Sequence, residues 1–461
     1  MAGIAAAGKE PSPAPAAEKI SPASVPAAGQ SAPAGGSEPE IKTSPEAAAG
    51  QSAPAGSSEP EIRTFQDPAG PGLNSAPAPG RSQCSSPPPA AFLSEEEFLK
   101  QNLYPQWPVQ AIRPLTPAVY PDQKPGTLVI TRHRGSFLRP CPATPRWSCC
   151  GLNIFHFGQG CHLGCRYCIL EAYLGSPAVF RFGNSLTEGL AELKEILAAI
   201  EAGRAHPWLT ADRSYRFCTG EFTDSLIYDQ GFNVSEALIR LLAGCRRSFL
   251  ELKTKTADID HLLHLDHRGQ TVLAFSVNAP EISRLTEPRA APLAERLKAA
   301  RRAAGKGYPI GLHFDPIIYY DGFRAGYREA VRLIDQYVPW DRLAWISLGC
   351  FRYLPPLKPI LLAQNPSDLF DREFVRAPDG KMRYPRPLRE MLYENLLEAL
   401  RPHLDPRTTV YFCMESSRLW RDQMGFDPGT TGLTARFREP ILSRSWQMTP
   451  ETQGNLGNQG T

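Results

Sequence analysis

The sequence contains no run of 18 or more apolar residues, so it predicts no membrane-spanning helix. Its N-terminus, MAGIAAAGKEPSPAPAAEKI, lacks the basic start and the apolar core that a secretory signal needs. The cysteines number eleven, and an odd number fits poorly with a complete disulfide framework. We therefore expect a cytoplasmic protein with reduced thiols, in which closely spaced cysteines indicate metal binding or catalysis.

Large apolar side chains are scarce in residues 1–91. The first 90 residues hold 17 of the 46 prolines, mixed with Ala, Gly and Ser. Such a composition cannot bury enough apolar surface to offset chain entropy, so we predict a disordered tail. GQSAPAGGSEPEIKT at 29–43 returns 21 residues later, as GQSAPAGSSEPEIRT at 50–64. Each copy offers one isoleucine to a core, so we interpret the pair as a duplicated linker.

The charge is close to balanced, with a formal net charge of +3. Residues 1–100 carry 6 Lys and Arg against 11 Asp and Glu, which leaves 44 against 36 for the rest of the chain. This mild basic bias of the later region is compatible with a polyanionic partner such as nucleic acid. An ordinary solvated surface is the simpler explanation of the same bias.

From about residue 92, short β-rich runs alternate with amphipathic helices. The helices are predicted over 185–203, 291–307 and 326–338. The six predicted strands are 151–157, 214–219, 249–255, 271–277, 309–314 and 343–349. This alternation predicts an α/β fold with a parallel sheet, and six strands suit a partial (βα)6 TIM-like barrel. The loops that follow the strands should then meet at one mouth and carry the chemistry.

We divide the chain accordingly into five segments. They are the tail 1–91, an N-terminal extension 92–150 packing on the barrel, the partial barrel 151–355, a C-terminal helical and strand extension 356–440, and a second disordered tail 441–461.

Three cysteines lie within eight positions of the stretch GQGCHLGCRYCIL, residues 158–170. They are Cys161, Cys165 and Cys168. Structural zinc prefers four ligands, commonly two separate Cys-x2-Cys pairs, and no second pair follows here. A four-iron cluster held by three cysteines leaves one iron free to bind a small ligand. A zinc site completed by a distant residue stays open as the alternative.

This C-x3-C-x2-C motif directly follows the first predicted strand and has Tyr167 before its last cysteine. It resembles the motif of the radical S-adenosylmethionine (SAM) enzymes. The resemblance implies a [4Fe–4S] cluster whose open iron binds SAM, and a partial (βα)6 barrel. It also implies that one electron, from a donor such as a flavodoxin or ferredoxin, cleaves SAM to a 5′-deoxyadenosyl radical.

Further positions match the SAM-binding pattern of that family. Gly220 and Glu221 stand where the family has a Gly-Gly-Glu turn that takes the SAM ammonium. Lys255, and Ser276 with Asn278, follow the third and fourth strands and would hold the carboxylate and the ribose. Each of these residue types is also common in an ordinary turn or on a solvated surface.

Several stretches together are similar to the spore photoproduct lyase branch of the family, over roughly residues 125–425. They include RPCPATPRWSCCGLN (139–153), TGEFTDSLIYD (219–229), LELKTKT (250–256), GLHFDPIIYYDG (311–322) and VYFCMESSRLW (410–420). The resemblance implies repair of a thymine dimer in DNA. The radical abstracts a hydrogen from the lesion, and a cysteine thiol returns a hydrogen to the product.

The chain departs from that branch at two positions. Glu221 occupies or adjoins the column of the hydrogen-donating cysteine, and Ile169 replaces a second tyrosine after the cluster motif. Tyr167 remains as the first tyrosine of the implied relay. Cys218 and Cys350 are the candidate replacement donors, although each also fits a buried structural cysteine.

Other candidates lie around the predicted mouth. Cys141, Cys149 and Cys150 either pack as small apolar side chains or bind a second metal centre. Candidate substrate contacts are Arg132, Arg134, His313, Asp315, Arg324 and Arg352. Two other functions stay open: radical chemistry on a peptide or small metabolite, and a non-catalytic, metal-stabilised nucleic-acid-binding module.

Overall fold

The computed structural model describes residues 109–110, 128–131, 135–141, 147–174, 180–183, 186–204, 215–364, 368–444 and 446. The predicted tail 1–91, most of the tail 441–461, and the candidates Arg132 and Arg134 lie outside these residues. In the described part of the chain, no helix is long and apolar enough to span a membrane.

Most of the strands are short. In the described residues they are β1 Val109–Gln110, β2 Leu128–Thr131, β3 Leu138–Pro140, β4 Asn153–Phe155, β5 Gly158–Gln159, β6 Phe180–Gly183, β7 Tyr215–Cys218, β8 Ser248–Thr254, β9 Thr271–Ser276, β10 Ile310–Ile317, β11 Leu343–Cys350, β12 Arg352–Tyr353, β13 Val375–Arg376, β14 Met382–Arg383 and β15 Thr409–Phe412.

The helices alternate with the long strands, as the pattern predicts. In the described residues they are α1 Leu170–Leu174, α2 Leu186–Glu201, α3 Asp229–Phe232, α4 Val234–Leu242, α5 Pro280–Thr286, α6 Leu293–Gly305, α7 Phe323–Tyr337, α8 Leu357–Gln364, α9 Arg386–Leu400, α10 Ser417–Met424, α11 Gly429–Arg436 and α12 Arg438–Leu442. Helix α12 continues two residues past the predicted boundary at 440.

One curled sheet of eight strands positions the site, in the order β15-β11-β10-β9-β8-β7-β4-β3. Seven strands of this sheet, β4, β7, β8, β9, β10, β11 and β15, run parallel to one another. The eighth, β3, pairs with β4 in the antiparallel sense. All six predicted strands are present in the predicted order, which confirms the partial barrel. Every residue of β9 and of β11 is buried, as expected for a parallel sheet covered on both faces.

Strand β15 adds a seventh parallel strand from the segment 356–440, which was predicted as an extension beyond the barrel. It pairs with β11, with Trp345 opposite Thr409 and Leu348 opposite Phe412. Its four residues are too few to give a clear pattern in the sequence, so pairing with the long β11 decides its conformation.

A short segment, residues 147–150, links the region before the first parallel strand to the region after the last. The Ser148 N–H donates to the Glu415 carbonyl at 3.1 Å, and the Ser148 hydroxyl donates to Asp427 Oδ1 at 3.0 Å. We call residues 147–150 the strap.

Candidate active site

The three cysteines of the motif lie in a loop, residues 160–169, that is tied to the carboxyl end of the sheet. Gly160 and Gly164 have φ angles of 105° and 63°, which glycine adopts without steric cost. The Gly160 N–H donates to the Phe222 carbonyl, just beyond β7, at 2.9 Å. The Arg166 N–H donates to the Thr286 carbonyl, at the end of α5, at 2.8 Å. We call residues 160–169 the cluster loop.

The thiols of the cluster loop are buried or half-buried and act on one another. Burial raises the pKa of Cys165 to about 12. Burial also raises the pKa of Cys161, to which the charges of Asp224, Cys168 and Cys165 add. The free thiols are therefore protonated at neutral pH, and iron must displace these protons when it binds.

The donor set fits an iron–sulfur cluster. Among the described residues, no three His, Cys, Asp or Glu side chains converge closely enough to hold a single metal ion. The thiolates of a four-iron cluster bind different irons, so they lie further apart than the ligands of one ion. Three neighbouring thiols suit a cluster with one iron free of protein ligands.

A buried charge network supports the tyrosine of the motif. The Tyr167 hydroxyl donates to Glu287, which forms an ion pair with Arg296. Arg296 also donates to the Ser276 carbonyl at 2.9 Å, and Lys255 Nζ lies 5.8 Å from the centre of the Tyr167 ring. The network brings three predicted positions of the site together. Sequence reasoning missed Glu287 and Arg296, because charged residues outside a motif resemble solvated surface.

The turn after β7 requires glycine at position 220. A Cβ there would lie 3.2 Å from the Lys253 carbonyl oxygen and 2.7 Å from Ser225 Oγ. The two strand ends are joined further, since the Ser225 N–H donates to the Lys253 carbonyl at 3.1 Å. Glu221 follows directly and is half-buried.

Asp224 fixes the rest of that turn and was not predicted. Its carboxylate accepts from the Lys255 N–H at 2.7 Å, the Thr254 hydroxyl at 2.6 Å and the Leu226 N–H at 3.0 Å. These bonds hold the turn onto the end of β8, which Lys255, a predicted SAM-binding residue, directly follows. The only signal in the sequence is an acidic residue in a strand-to-helix loop.

We expect Asp224→Asn to weaken SAM binding about tenfold, because the amide keeps one acceptor and brings an unpaired buried donor. Equilibrium dialysis with labelled SAM measures the change. Asp258→Asn, at an exposed position beyond the same strand, is the matched control and should bind SAM as the parent does. Equal affinity in the two variants would contradict the role given to Asp224.

Asn278 joins the ends of β9 and β10. Its Nδ2 donates to the Pro316 carbonyl and its Oδ1 accepts from the Tyr327 hydroxyl, both at 2.9 Å. The amide is thus used within the protein, at the strand end where a ribose contact was predicted.

The concave face of the sheet carries a layer of buried charge. Glu251 accepts from His313 Nε2 at 2.6 Å and from Trp345 Nε1 at 2.8 Å, and it lies 3.5 Å from Arg216. Burial raises the pKa of Glu251, but Arg216 and then His313 outweigh it and leave this pKa well below the ordinary range. His313, a predicted substrate residue, is therefore bonded within this layer.

A second layer lies nearer the carboxyl ends of the strands. Asp315 and Arg352 form an ion pair at 3.1 Å, and Arg352 Nη2 lies 3.4 Å from Cys413 Sγ. Glycine at 349 leaves room for this pair, because a Cβ there would lie 2.8 Å from Asp315. Lys253 is half-buried in the same layer. Burial lowers its pKa, but Glu221 and other anionic neighbours raise it overall.

The thiols around the sheet differ in where they lie. Cys218 is 1% exposed, and its sulfur accepts from the Gly220 N–H at 3.3 Å. Cys350 is 2% exposed, its N–H donates to the Tyr393 hydroxyl on α9 at 3.0 Å, and its carbonyl accepts from Arg352 at 3.2 Å. Cys413 was not proposed from the sequence, and it is half-buried beside Arg352.

Two of the remaining candidates adjoin the second layer, since the pKa of Cys413 is raised mainly by burial and the charges of Cys150 and Cys149 add to it. Arg324 is exposed at the start of α7, with its guanidinium 5.2 Å from the Phe323 ring. Cys141, Cys149 and Cys150 adjoin one another, since hydrogen bonding to Cys141 is the main cause that raises the pKa of Cys149.

Two aromatic side chains lie beside the turn that carries Glu221. Tyr173 is 52% exposed, and its ring centre is 6.5 Å from that of Phe222. The charge of Glu221 also raises the pKa of Tyr173, after burial, which places the two side chains near each other.

Comparisons with known proteins point in one direction. The family model for spore photoproduct lyase matches residues 153–381. The chain is 28% identical over 254 residues to spore photoproduct lyase of Bacillus subtilis, which covers 54% of this chain and 71% of the relative. It is also 28% identical to the Geobacillus sp. protein of that description, over 46% of this chain and 60% of the relative. A variant spore photoproduct lyase solved with AdoMet and dinucleoside spore photoproduct superposes with a TM-score of 0.54, at 23% identity over 62% of this chain and 82% of that one.

Proposed function

Since this chain belongs to the spore photoproduct lyase family of radical SAM enzymes, we propose that it repairs a photodamaged or modified nucleic acid. Its cofactors are a [4Fe–4S] cluster and SAM. One observation carries the proposal: the cluster loop and the cations Lys253 and Arg352 lie towards the carboxyl ends of strands of one parallel sheet, namely β4, β8 and β11. We place this chemistry in the cytoplasm, with a flavodoxin or ferredoxin as electron donor.

The residues of the chain have separate tasks in this proposal. When bound, the cluster and SAM supply a 5′-deoxyadenosyl radical. Cys161, Cys165 and Cys168 would hold the cluster. Glu221 and the turn at Gly220 would take the SAM ammonium. Lys255 and Ser276 would hold the carboxylate and ribose, with Tyr167 packed against them through Glu287 and Arg296.

The open end of the sheet suits a nucleotide substrate. Lys253 and Arg352 supply positive charge for phosphate oxygens, although Asp315 neutralises part of it. The exposed ring of Tyr173 beside Phe222 offers a face on which a base can stack. A damaged base leaves its helix at lower cost than an intact one, which favours lesions over normal DNA.

Product formation on defined substrates tests the proposal. Anaerobically reconstituted enzyme with dithionite and SAM should form 5′-deoxyadenosine and change the lesion in ultraviolet-irradiated DNA. Undamaged DNA and a reaction without substrate are the controls. Equal 5′-deoxyadenosine in all three would reject nucleic-acid repair and favour a peptide or small metabolite.

Hydrogen return to the product radical requires a donor on the concave face. We propose Cys413 for this role, because its sulfur contacts Arg352 and is partly accessible. Transfer of one hydrogen atom from sulfur to carbon forms a C–H bond and leaves a thiyl radical, and the weak S–H bond makes this step favourable. Cys218 is the second candidate, and its 1% exposure limits access.

Deuterium from solvent distinguishes these thiols. In D2O an exchanged thiol delivers deuterium, so we expect Cys413→Ala to lower deuterium in the repaired product about tenfold, a change of roughly 1.4 kcal/mol in barrier. Cys350→Ala, on the outer face, should leave the label unchanged. Full labelling in Cys413→Ala together with its loss in Cys218→Ala would transfer the role to Cys218.

A further inference from the structure

Exposed arginines adjoin the cluster loop from two directions. Arg166 lies in the loop itself, between Cys165 and Cys168, and is exposed. Its N–H donates to the Thr286 carbonyl at 2.8 Å, which fixes the loop to the end of α5. The exposed Arg284 is two residues before Thr286 on that helix. Both guanidinium groups thus lie on elements joined at the cluster.

Arg289 completes the group from the turn that follows α5. Its Nη2 lies 2.5 Å from the position that a Cβ on Gly164 would occupy, so the guanidinium rests on the cluster loop. The positive charge that Arg289 places against the cluster loop adds to that of Arg166 and Arg284, which are also exposed.

These arginines carry charge that the described residues do not neutralise by ion pairing. None of the three has a carboxylate within 4.0 Å in the described part of the chain. Of the acids beside them, Glu287 is 4% exposed and is paired with Arg296, whereas Glu281 is exposed on α5. Three exposed positive charges therefore face one exposed negative charge.

An apolar side chain lies among these charges. Leu285, next to Arg284 on α5, is 43% exposed. It is one of four large hydrophobic residues exposed in the described chain, together with Tyr173, Val375 and Leu442. An apolar contact ringed by charge is typical of an interface with another protein.

We propose that Arg166, Arg284, Leu285 and Arg289 form the docking surface for a small acidic protein that delivers single electrons to the cluster. We call these four residues the arginine surface. The inference rests on the proposed function, which requires one electron for each SAM cleaved: the carrier loses it and the cluster gains it. Opposite charge accelerates the encounter of two such proteins and orients them.

The position of the arginine surface favours a protein carrier over a nucleic acid. It lies against the backbone of the cluster loop, which gives an electron a short path to the metal. Leu285 would also gain little from contact with a phosphate backbone.

A charge-reversal variant tests this surface. Arg166→Glu, Arg284→Glu and Arg289→Glu are combined in the full-length, cluster-loaded protein. The matched control combines Arg301→Glu, Arg328→Glu and Arg401→Glu, which are exposed and lie outside both the cluster loop and α5. Bacterial flavodoxin, a small acidic flavoprotein, is the probe. Its Kd is measured by flavin fluorescence, and cluster reduction is followed by absorbance with reduced flavodoxin or with dithionite.

We expect the arginine-surface variant to bind flavodoxin and accept its electrons about tenfold less well, with a flatter dependence on salt. Dithionite should reduce both variants at the parental rate, because a small reductant needs no docking. Equal loss with dithionite would show that the arginines support the loop itself and would overturn the proposal. Unchanged flavodoxin binding would overturn it too, and a simultaneous loss of DNA affinity would assign the surface to nucleic acid. Because both readouts omit SAM and substrate, failure of the repair reaction is a separate result.

Discussion

Cys165→Ala is expected to abolish 5′-deoxyadenosine formation. Cys165 is the most buried of the three motif thiols, at 9% exposed, and its loop is bonded to Phe222, just beyond β7, and to Thr286, at the end of α5. Losing a partner behind a metal ligand already costs roughly 10- to 100-fold in affinity or activity, so losing the ligand should cost more than about 100-fold. No other cysteine of the loop is left to replace it, since Cys161 and Cys168 are the other two proposed ligands. The measurement is 5′-deoxyadenosine by chromatography, alongside iron and sulfide content.

The control for this variant is another buried cysteine. Cys245 is 3% exposed at the end of α4, with its sulfur 3.9 Å from the Leu241 carbonyl. Cys245→Ala removes a buried thiol without touching the cluster loop, so it should keep parental iron content and turnover. Full iron content and turnover in Cys165→Ala would contradict the cluster assignment.

The second large effect is expected in stability, from Glu251→Ala. Glu251 is 1% exposed and lies against Arg216, His313 and Trp345. Removing one partner of a buried charge network leaves the others uncompensated, at a cost of about 3–5 kcal/mol. Urea denaturation measures the change in the free energy of unfolding. Glu295→Ala breaks an exposed pair with Lys298 and should change that free energy by less than about 0.5 kcal/mol.

The same layer makes stability depend on pH. Burial lowers the pKa of His313 in the folded protein. As the pH falls below the ordinary histidine range, this histidine is therefore protonated in the unfolded protein before it is protonated in the folded protein, and the folded protein loses stability. The lowered pKa of Glu251 adds a further loss as pH falls below the ordinary glutamate range. The two effects have the same sign. Urea midpoints between pH 8 and pH 4 should decline in the parent and decline less in His313→Gln, which removes the first effect and weakens the second.

Much of the scaffold was predictable from local pattern. Apolar runs between amphipathic helices predict the six central strands. The spacing of three cysteines within one loop identifies the cluster motif. Alternation along a strand also predicts which side chains of β11 share a face. Trp345 reaches Glu251 on the concave face, so 347 and 349 share that face and Cys350 points the other way.

The site residues that the sequence did not predict depend on partners distant in sequence. Arg352 meets Cys413 across 61 residues, and Glu287 meets Tyr167 across 120. A charged residue of this kind resembles solvated surface until the fold supplies its partner. β15, which ends just before Cys413, was missed for the same reason: its pairing with β11 defines it more than its own four residues do.

The strap has a consequence for how the molecule can be divided. Because Ser148 bonds to Glu415 and Asp427, the first and last parallel strands are held by contacts from outside the span 151–355. A fragment of those residues alone would lose β15 and expose the apolar edge of β11 to other chains. The smallest piece expected to fold therefore begins before residue 147 and extends past 427. Transfer of this sheet to another protein would then require the strap and the segment from β15 to residue 427 to be transferred together.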